Sequence, residues 1–156
     1  MKVAMDADCL IKLTKAGLKD LVCKAFTVVI PSTVKMEVVD NAKKYPDAQV
    51  IMENIEKKAL EVDEKPSTSR KGEEAVLKLF TRSTFDAVCS DDKRFIKRLR
   101  LFDIPYLTPA VLIAVLFKEG RLTINEAEGK LEMLKPFISD DEYNAVKIII
   151  KRWGVS

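Results

Sequence analysis

The stretch Lys2-Val-Ala-Met-Asp-Ala-Asp-Cys-Leu-Ile-Lys-Leu13 decides the fold, because it changes from a short apolar strand to a helix within a few residues. The run Val3–Met5 is uncharged, and the next apolar residues recur at helical spacing. Asp6 therefore lies at the carboxyl end of a strand, and Asp8 has the position of a helix N-cap. Ligands bind outside the carboxyl ends of strands in open α/β sheets, so these two carboxylates are also a candidate cation or phosphate site. A carboxylate beside a buried strand is costly unless something pairs with it, which singles out Asp6.

Length and composition indicate one globular domain covering residues 1–156. Hydrophobic residues make up 47% of the chain and charged residues 33%. The longest apolar run, residues 110–117, is too short to span a bilayer, so we expect a cytoplasmic protein with no membrane association. The three cysteines are isolated in apolar stretches and lack zinc-ligand spacing, which predicts that they pack as small hydrophobic residues.

The chain contains no histidine, and this excludes several classes of enzyme. Ser-His-Asp and Cys-His hydrolysis, histidine-ligated zinc and histidine proton shuttles all require a side chain that this sequence lacks. Any chemistry must therefore use carboxylates, lysines, hydroxyl groups or a bound metal ion. The net charge of +3 is a weak argument for nucleic-acid binding, so the distribution of charge matters more.

Strand and helix patterns alternate five times along the chain, which predicts a three-layer α/β/α fold with a mostly parallel central sheet of about five strands. The predicted strands cover residues 3–5, 26–30, 60–62, 85–90 and 104–107. Pro31 ends the second strand, and Pro105 favours an edge position for the fifth. The polar segment 63–71 is predicted to be a mobile loop, and a helical segment begins at about residue 108.

Three more groups of acids follow predicted strands or begin predicted helices. Glu37 lies in a helix that Ser32 is predicted to cap, and it falls too late for a capping box, although a solvated surface glutamate is the ordinary alternative. Glu73 and Glu74 lie in a first helical turn, where acids also complement the helix dipole. The adjacent pair Asp91-Asp92 follows a buried strand, as Asp6 does. One of the pair could cap the next helix, but their mutual repulsion favours a bound cation.

The helix after Asp92 carries five basic residues and no acid: Lys93, Arg94, Lys97, Arg98 and Arg100. Such a run is usually a solvated face. Next to an acidic site it would also suit a phosphate backbone.

Two sequences near the carboxyl terminus match the capping-box pattern, in which the helix N-cap and a glutamate three residues later bond each other's backbone. These are Thr123-Ile-Asn-Glu126 and Ser139-Asp-Asp-Glu142. The pattern explains both glutamates structurally, so Glu126 and Glu142 are excluded from the candidate site.

Four motifs occur in a fixed order: strand-Asp-x-Asp-x-Leu, Ile-Pro-x-x-Val-x-x-Glu, Gly-Glu-Glu-Ala and Ser-Asp-Asp-x-x-Phe. In their order and spacing the chain resembles the PIN-domain family, including the VapC-like toxin ribonucleases, over nearly its whole length. The resemblance implies a PIN-like fold and an acidic catalytic cluster made of Asp6, Glu37, Glu74 and Asp92. It leaves open whether Glu73 replaces Glu74 and whether Asp91 replaces Asp92.

The resemblance further implies Mg²⁺ or Mn²⁺, one ion or two, held by Asp6, Asp8, Glu37, Glu73, Glu74, Asp91 and Asp92. Such an ion would activate water for attack on a phosphodiester bond of single-stranded RNA. The predicted RNA-binding residues are Lys93, Arg94, Lys97 and Arg98. The expected partners are RNA, a cognate antitoxin and a second copy of the chain in a homodimer.

Two other functions compete with a nuclease. In a haloacid-dehalogenase-like phosphatase, Asp6 would be a covalent nucleophile, Asp8 the general acid, and Asp91 and Asp92 the magnesium ligands. That assignment gives Glu37 no role. The second alternative is a PIN-like scaffold that binds RNA or a protein without cutting, and the presence of acids at all four positions argues against it.

Overall fold

Short apolar runs rich in valine form one five-stranded sheet, and the structure, a computed structural model, describes residues 1–39, 46–56, 59–63 and 72–155. The strands are β1 (Lys2–Met5), β2 (Thr27–Pro31), β3 (Leu60–Asp63), β4 (Ala87–Cys89) and β5 (Tyr106–Leu107). Their order in the sheet is β3-β2-β1-β4-β5, and each of the four pairings is parallel. The predicted sheet is confirmed, and it is parallel throughout.

The central strand β1 positions the candidate site. Val3, Ala4 and Met5 have no exposed surface, and β1 pairs with β2 on one side and with β4 on the other. From β1 the chain builds β2 and β3 outward in one direction, then returns to place β4 and β5 on the opposite side. The order reverses between β1 and β4. The carboxyl ends of these two strands therefore form the topological switch point at which α/β proteins bind ligands.

Helices flank the sheet and connect its strands, as the α/β prediction requires. In the described residues the helices are α1 (Ala7–Lys15), α2 (Lys19–Ala25), α3 (Ser32–Val38), α4 (Pro46–Glu56), α5 (Gly72–Arg82), α6 (Lys93–Leu101), α7 (Pro109–Lys118), α8 (Ile124–Leu134) and α9 (Asp140–Val155). Gly17 separates α1 from α2 with a φ of +72°, a backbone conformation that glycine adopts without a steric penalty. Within the parts of the chain that the structure describes, no helix is long and apolar enough to cross a membrane.

Several predicted boundaries are wrong by one or two residues. The fourth strand covers only Ala87–Cys89, and the Asp86 side chain before it accepts a hydrogen bond from the Lys2 backbone N–H at 2.7 Å. The fifth begins at Tyr106, since Pro105 has no N–H to donate. Pro31 occupies the N-cap position of α3 without a side-chain bond, so Ser32 is the first helical residue and the predicted Ser32 cap is wrong. Of the predicted loop, residues 64–71 lie outside the described residues.

The carboxyl-terminal helices α7, α8 and α9 pack on one another and bury a continuous apolar face. Thr108 caps α7 and Pro109 follows at its first position, as predicted. On α9, Tyr143, Val146 and Ile150 are buried as their spacing predicts. The three cysteines are all buried and free, as expected.

Candidate active site

Asp6 connects the end of β1 to the start of α1. It is the N-cap of α1, and its Oδ1 accepts a hydrogen bond of 2.9 Å from the Cys9 backbone N–H. Its Oδ2 accepts a second hydrogen bond from the hydroxyl group of Ser90. The prediction that Asp8 caps this helix is therefore wrong, because the cap is two residues earlier. Asp8 lies in the first turn of α1, and about half of its side chain is exposed.

The carboxylate of Asp6 is almost fully buried, with only 4% of the residue exposed. Burial raises its pKa from 3.8 to about 7, although the hydrogen bonds from Ser90 and Cys9 oppose this shift in part. The negative charges of Asp8 and Glu73 raise it further, so α5 brings an acid within electrostatic range of Asp6. A cation at this position would favour the ionised carboxylate and relieve the repulsion.

Ser90 links the two sides of the switch point. It directly follows β4, is fully buried, and donates its hydroxyl hydrogen to Asp6. The same oxygen accepts the backbone N–H of Asp92 at 3.2 Å, and Asp92 in turn caps α6 by accepting from Phe95 N–H at 2.8 Å. Sequence reasoning missed Ser90. Ser90 directly follows a predicted strand, and its hydroxyl group could have been predicted to donate a hydrogen bond to the buried carboxylate of Asp6.

Asp91 points to a different partner from Asp92. Its Oδ2 lies 2.5 Å from Nζ of Lys12, which also lies 3.2 Å from Oδ2 of Asp8. Burial lowers the pKa of Lys12, but the two aspartates raise it more, so the pKa of Lys12 lies above its ordinary value. Lys12 therefore carries a positive charge between two of the predicted ligands. Lys12 follows Asp8 by one helical turn, and this spacing predicts the Asp8–Lys12 ion pair from the sequence.

Glu142 is the largest departure from the sequence prediction. The first half of the predicted capping box is present, since Ser139 Oγ accepts the Glu142 N–H at 3.1 Å. The second half is absent, because both carboxylate oxygens of Glu142 are buried and have no hydrogen-bond partner among the described residues. The side chain lies instead beside Asp91, at the amino-terminal end of α7. The predicted capping box is therefore wrong for the Glu142 side chain, and it no longer explains this glutamate structurally.

The surroundings of Glu142 disfavour its charged form. Burial raises its pKa to about 7, and the neighbouring carboxylate of Asp91 adds to that effect. The Thr108 hydroxyl and the Ala110 N–H lie close enough to lower the pKa in part, but neither reaches hydrogen-bond geometry. Glu142 and Asp91 are thus two adjacent carboxyl groups, one of which has Lys12 as its cation.

Glu37 lies on the exposed side of α3, yet its carboxylate faces the start of α5. A Cβ atom placed on Gly72 would be only 3.1 Å from Glu37 Oε2 and 3.6 Å from Val34 Cγ2. Gly72 therefore allows the Glu37 carboxylate to approach the first turn of α5, which contains Glu73 and Glu74. The second predicted acid thus lies beside the residue at which the helix of the third begins.

Glu74 forms an ion pair with a residue that was predicted to bind RNA. Nη2 of Arg98 donates to Oε1 of Glu74, and Nη1 of Arg98 lies 3.9 Å from Oε2 of Glu73. Arg98 is therefore turned toward the acids, whereas Lys93, Arg94 and Lys97 are exposed on the same helix. Of the five basic residues of α6, Arg98 thus pairs with acids, Arg100 donates to the Tyr106 hydroxyl group, and the other three face the solvent.

Each predicted acid has a neighbour of its own in the structure. Asp6 contacts Ser90 and the α1 N-terminus, and Asp92 contacts the α6 N-terminus. Lys12 pairs with Asp8 and Asp91, Arg98 pairs with Glu73 and Glu74, and Glu37 lies near Gly72. Among the described residues, no three carboxylates converge closely enough to form a metal site. The donor chemistry nevertheless fits a hard cation, because carboxylates are the ligands that such an ion prefers, and Asp6 is a buried carboxylate with the acids Asp8 and Glu73 near enough to raise its pKa.

The comparisons with known proteins agree with this geometry. A family model described as DUF3368, a PIN domain, matches residues 2–152 of the chain. The chain belongs to the PIN-domain family. PIN domains are in general nucleases, and they typically use divalent metal ions. No curated protein and no solved structure matches the chain at a significant level.

In this PIN domain the four acids that were predicted to be catalytic lie on different elements. Asp6 and the backbone N–H of Asp92 both bond to the Ser90 hydroxyl group, whereas Glu37 lies on α3 and Glu74 in the first turn of α5. The assignment of these four acids as catalytic stays a prediction, as does the choice between neighbouring acids in each pair. The contacts of Asp91 with Lys12 and of Asp92 with the α6 N-terminus show that the two members of that pair have different environments.

Proposed function

We propose that this PIN domain is a Mg²⁺- or Mn²⁺-dependent endoribonuclease that hydrolyses phosphodiester bonds of single-stranded RNA. The observation that carries this proposal is Asp6, a carboxylate that is 4% exposed, fixed by two hydrogen bonds and placed at the switch point of a parallel sheet. A buried acid with a raised pKa beside further acids is typical of a functional site. Asp6, Glu37, Glu74 and Asp92 would hold the ion, and Asp8, Glu73 and Asp91 would adjust its charge balance.

The residues of the chain have distinct roles in this reaction. A bound divalent ion lowers the pKa of water and offsets negative charge on the phosphate. Ser90 fixes the orientation of Asp6, because its hydroxyl group donates to one oxygen while Cys9 N–H holds the other. Lys12 neutralises Asp91, which limits the total negative charge that an approaching phosphate meets. No step requires a histidine.

The exposed bases of α6 supply a surface for the substrate. Lys93, Arg94 and Lys97 are exposed on the helix that Asp92 caps, so their positive charges lie close to the proposed site. Cations in such a position bind phosphate groups without reading the base sequence. This arrangement favours a nucleic acid over a small phosphate ester.

The phosphatase alternative fits the structure less well. In such an enzyme Asp6 would be the covalent nucleophile and Asp8 the general acid. The assignment gives no role to Glu37 or to the two acids in the first turn of α5. A phosphatase would also form a phosphoenzyme, which beryllium fluoride would mimic.

The motif order shared with VapC-like ribonucleases supports a further proposal, that the nuclease is the toxin of a toxin–antitoxin pair. Expression of the wild-type chain should then arrest bacterial growth, and expression of Asp6→Asn should not. Growth arrest by both chains at equal protein levels would contradict a toxic nuclease activity.

The proposed function is tested with purified protein and a mixed-sequence single-stranded RNA labelled at its 5′ end. We expect cleavage with Mg²⁺ or Mn²⁺, none with excess chelator, and none with Asp6→Asn. Glu126→Gln is the matched control, because Glu126 makes a complete capping box with Thr123 and lies on α8. Undiminished cleavage in chelator, or RNA binding without cleavage under any metal condition, would contradict the proposal.

A further inference from the structure

Glu142 and Glu126 occupy the same position of two helices, the third residue after a hydroxyl N-cap. Glu126 completes its capping box, since its Oε2 accepts the Thr123 N–H at 2.7 Å. Glu142 lacks the corresponding bond and places its carboxylate inside the protein. The side chain of Glu142 therefore forgoes a stabilising interaction that its own helix offers.

The position that Glu142 takes instead is costly for a purely structural residue. Two buried carboxylate oxygens that accept no hydrogen bond from the described part of the chain destabilise a fold, and a second carboxyl group beside them adds repulsion. An apolar or amide side chain of similar size would fill the same volume without that cost. Unfavourable polar arrangements of this kind concentrate at functional sites, where another part of the molecule depends on them.

The predicted site residue beside Glu142 is Asp91. Asp91 directly follows Ser90, the residue that holds Asp6. Lys12 contacts Asp91 from α1, and Glu142 lies beside it from α9. The carboxylate of Asp91 thus has a cation of one helix and a carboxyl group of another as neighbours.

We propose that Glu142 is a positioning residue of the active site, which acts through Asp91 and keeps the Asp8–Lys12–Asp91 chain of charges beside Asp6. The inference rests on the proposed function, because it makes α9 a part of the nuclease centre. Glu142 touches neither the ion nor the RNA in this role. Its effect is to fix the place of a charge pair next to the predicted ligands.

Glu142→Met and Glu142→Gln separate a positioning role from a structural one. Methionine fills the volume without a polar contact, and its neutral side chain removes a buried charge, so the fold should keep its stability. Glutamine keeps an amide that can donate a hydrogen bond to Asp91, and it should retain more activity than methionine. Glu126→Met is the control, because it places the same substitution at the same helical position away from the site.

Three measurements on the full chain decide the proposal: crystal structures of the variants, Mn²⁺ affinity by calorimetry, and the kcat and KM for single-stranded RNA. For Glu142→Met we expect Asp91 to leave Lys12, and we expect kcat and Mn²⁺ affinity to fall by about 10- to 100-fold with KM unchanged, as is usual for partners of metal ligands. Glu142→Gln should lose less, and Glu126→Met should lose nothing.

The proposal is overturned if Glu142→Met keeps the Asp91–Lys12 contact and the wild-type kcat. It is also overturned if both Glu142 variants lose activity only in proportion to a lower melting temperature. If the wild-type chain cuts no RNA, the proposed nuclease function fails, but the position of Asp91 in the variant crystals still decides whether Glu142 fixes it.

Discussion

The guanidinium group of Arg98 donates a hydrogen bond to the carboxylate of Glu74, and this contact ties the basic helix α6 to the acidic start of α5. A predicted RNA ligand and a predicted metal ligand thus neutralise each other in the absence of both partners. An ion and a phosphate group would each have to break this pair, the ion by taking Glu74 and the phosphate by taking Arg98. Binding of metal and binding of RNA are therefore expected to assist one another.

Arg98→Gln should increase the affinity for Mn²⁺, because it removes the cation that competes for Glu74. The two side chains are about 40% exposed, so the pair is worth at most about 1 kcal/mol and the gain at most about fivefold. Calorimetric titration of Mn²⁺ into the RNA-free protein measures the change. Lys97→Gln removes an exposed charge from the same helix and is the control. Equal Mn²⁺ affinity in all three proteins would show that Glu74 does not bind the ion.

Replacing Lys93, Arg94 or Lys97 by Gln should weaken binding of every single-stranded RNA to a similar extent. Each exposed cation that contacts a phosphate contributes about one unit to the slope of log affinity against log salt. Filter binding at several salt concentrations gives this slope. Arg98→Gln should change the slope less, since its charge already serves Glu74. An unchanged slope in the triple variant would make these residues an ordinary solvated face, and Lys151→Gln on α9 sets the baseline.

Asp6→Asn should raise the stability of the metal-free protein and abolish most of its stabilisation by Mn²⁺. The substitution removes a buried charge that repels Asp8 and Glu73. For the wild type, an ion that binds only the folded state should stabilise it by about 2.7 kcal/mol at a hundredfold excess over its dissociation constant. Thermal unfolding with and without Mn²⁺ measures both effects. A destabilised Asp6→Asn protein with the full Mn²⁺ shift would make Asp6 a structural residue.

The stability of the metal-free protein should fall as the pH rises between about 4 and 7. Burial raises the pKa of Asp6 from 3.8 to about 7, so in this range the folded state binds a proton that the unfolded state has lost. The free energy of unfolding is therefore highest below about pH 4, where Asp6 is protonated in both states. It falls as the pH rises toward 7, by an amount on the order of a few kcal/mol. Denaturant unfolding at several pH values tests it.

Two comparisons control the pH experiment. Asp6→Asn should reduce the slope without removing it, because Glu142 also has a raised pKa of about 7 and contributes with the same sign. Saturating Mn²⁺ should reverse the slope, since the ion binds the ionised carboxylates. A wild-type slope that Asp6→Asn leaves intact would assign the effect to other groups.

Gly72→Ala should lower nuclease activity with little effect on folding. The added Cβ would lie 3.1 Å from Glu37 Oε2, so the carboxylate must move away from α5. A displacement of a few tenths of an ångström at a predicted ligand should lower kcat by roughly three- to tenfold. Gly129→Ala is the control, because its Cβ meets no atom within 4 Å and alanine should stabilise α8 by up to about 1 kcal/mol. Equal kcat in both variants would remove Glu37 from the site.

The sheet and the helices were predictable because their signals are local. Apolar runs such as Val3–Met5 and residues 26–30, ended by a proline or an acid, are sufficient to place strands. The alternation with helices then fixes a parallel arrangement. The errors fell at element ends, as at Ser32, where a proline with the right backbone angles replaced a side-chain cap. Positions of this kind depend on one or two hydrogen bonds that no periodicity encodes.

The side-chain partners were not predictable, and the two capping-box sequences explain why. Thr123 to Glu126 and Ser139 to Glu142 have the same local pattern, but only the first forms a complete box. The Glu142 carboxylate lies instead beside Asp91, which is far from it in the sequence. In the same way, no local pattern joins Arg98 to Glu74 or Ser90 to Asp6. Such contacts follow from sheet order, which the sequence specifies only through the whole fold.

The central position of β1 bears on how the protein would lose its activity. Hydrogen bonds from both neighbouring strands protect β1, and the Asp6 N–H bonds to Cys89 O at 3.1 Å. Amide hydrogens of this strand should exchange with deuterium only when the whole sheet opens. Glu37 and Glu74 lie on α3 and α5, and the contacts near their carboxylates are side-chain contacts at helix surfaces, which need far less energy to separate. Mild denaturant should therefore disperse the acids, and stop the reaction, while the strand that carries Asp6 is still intact.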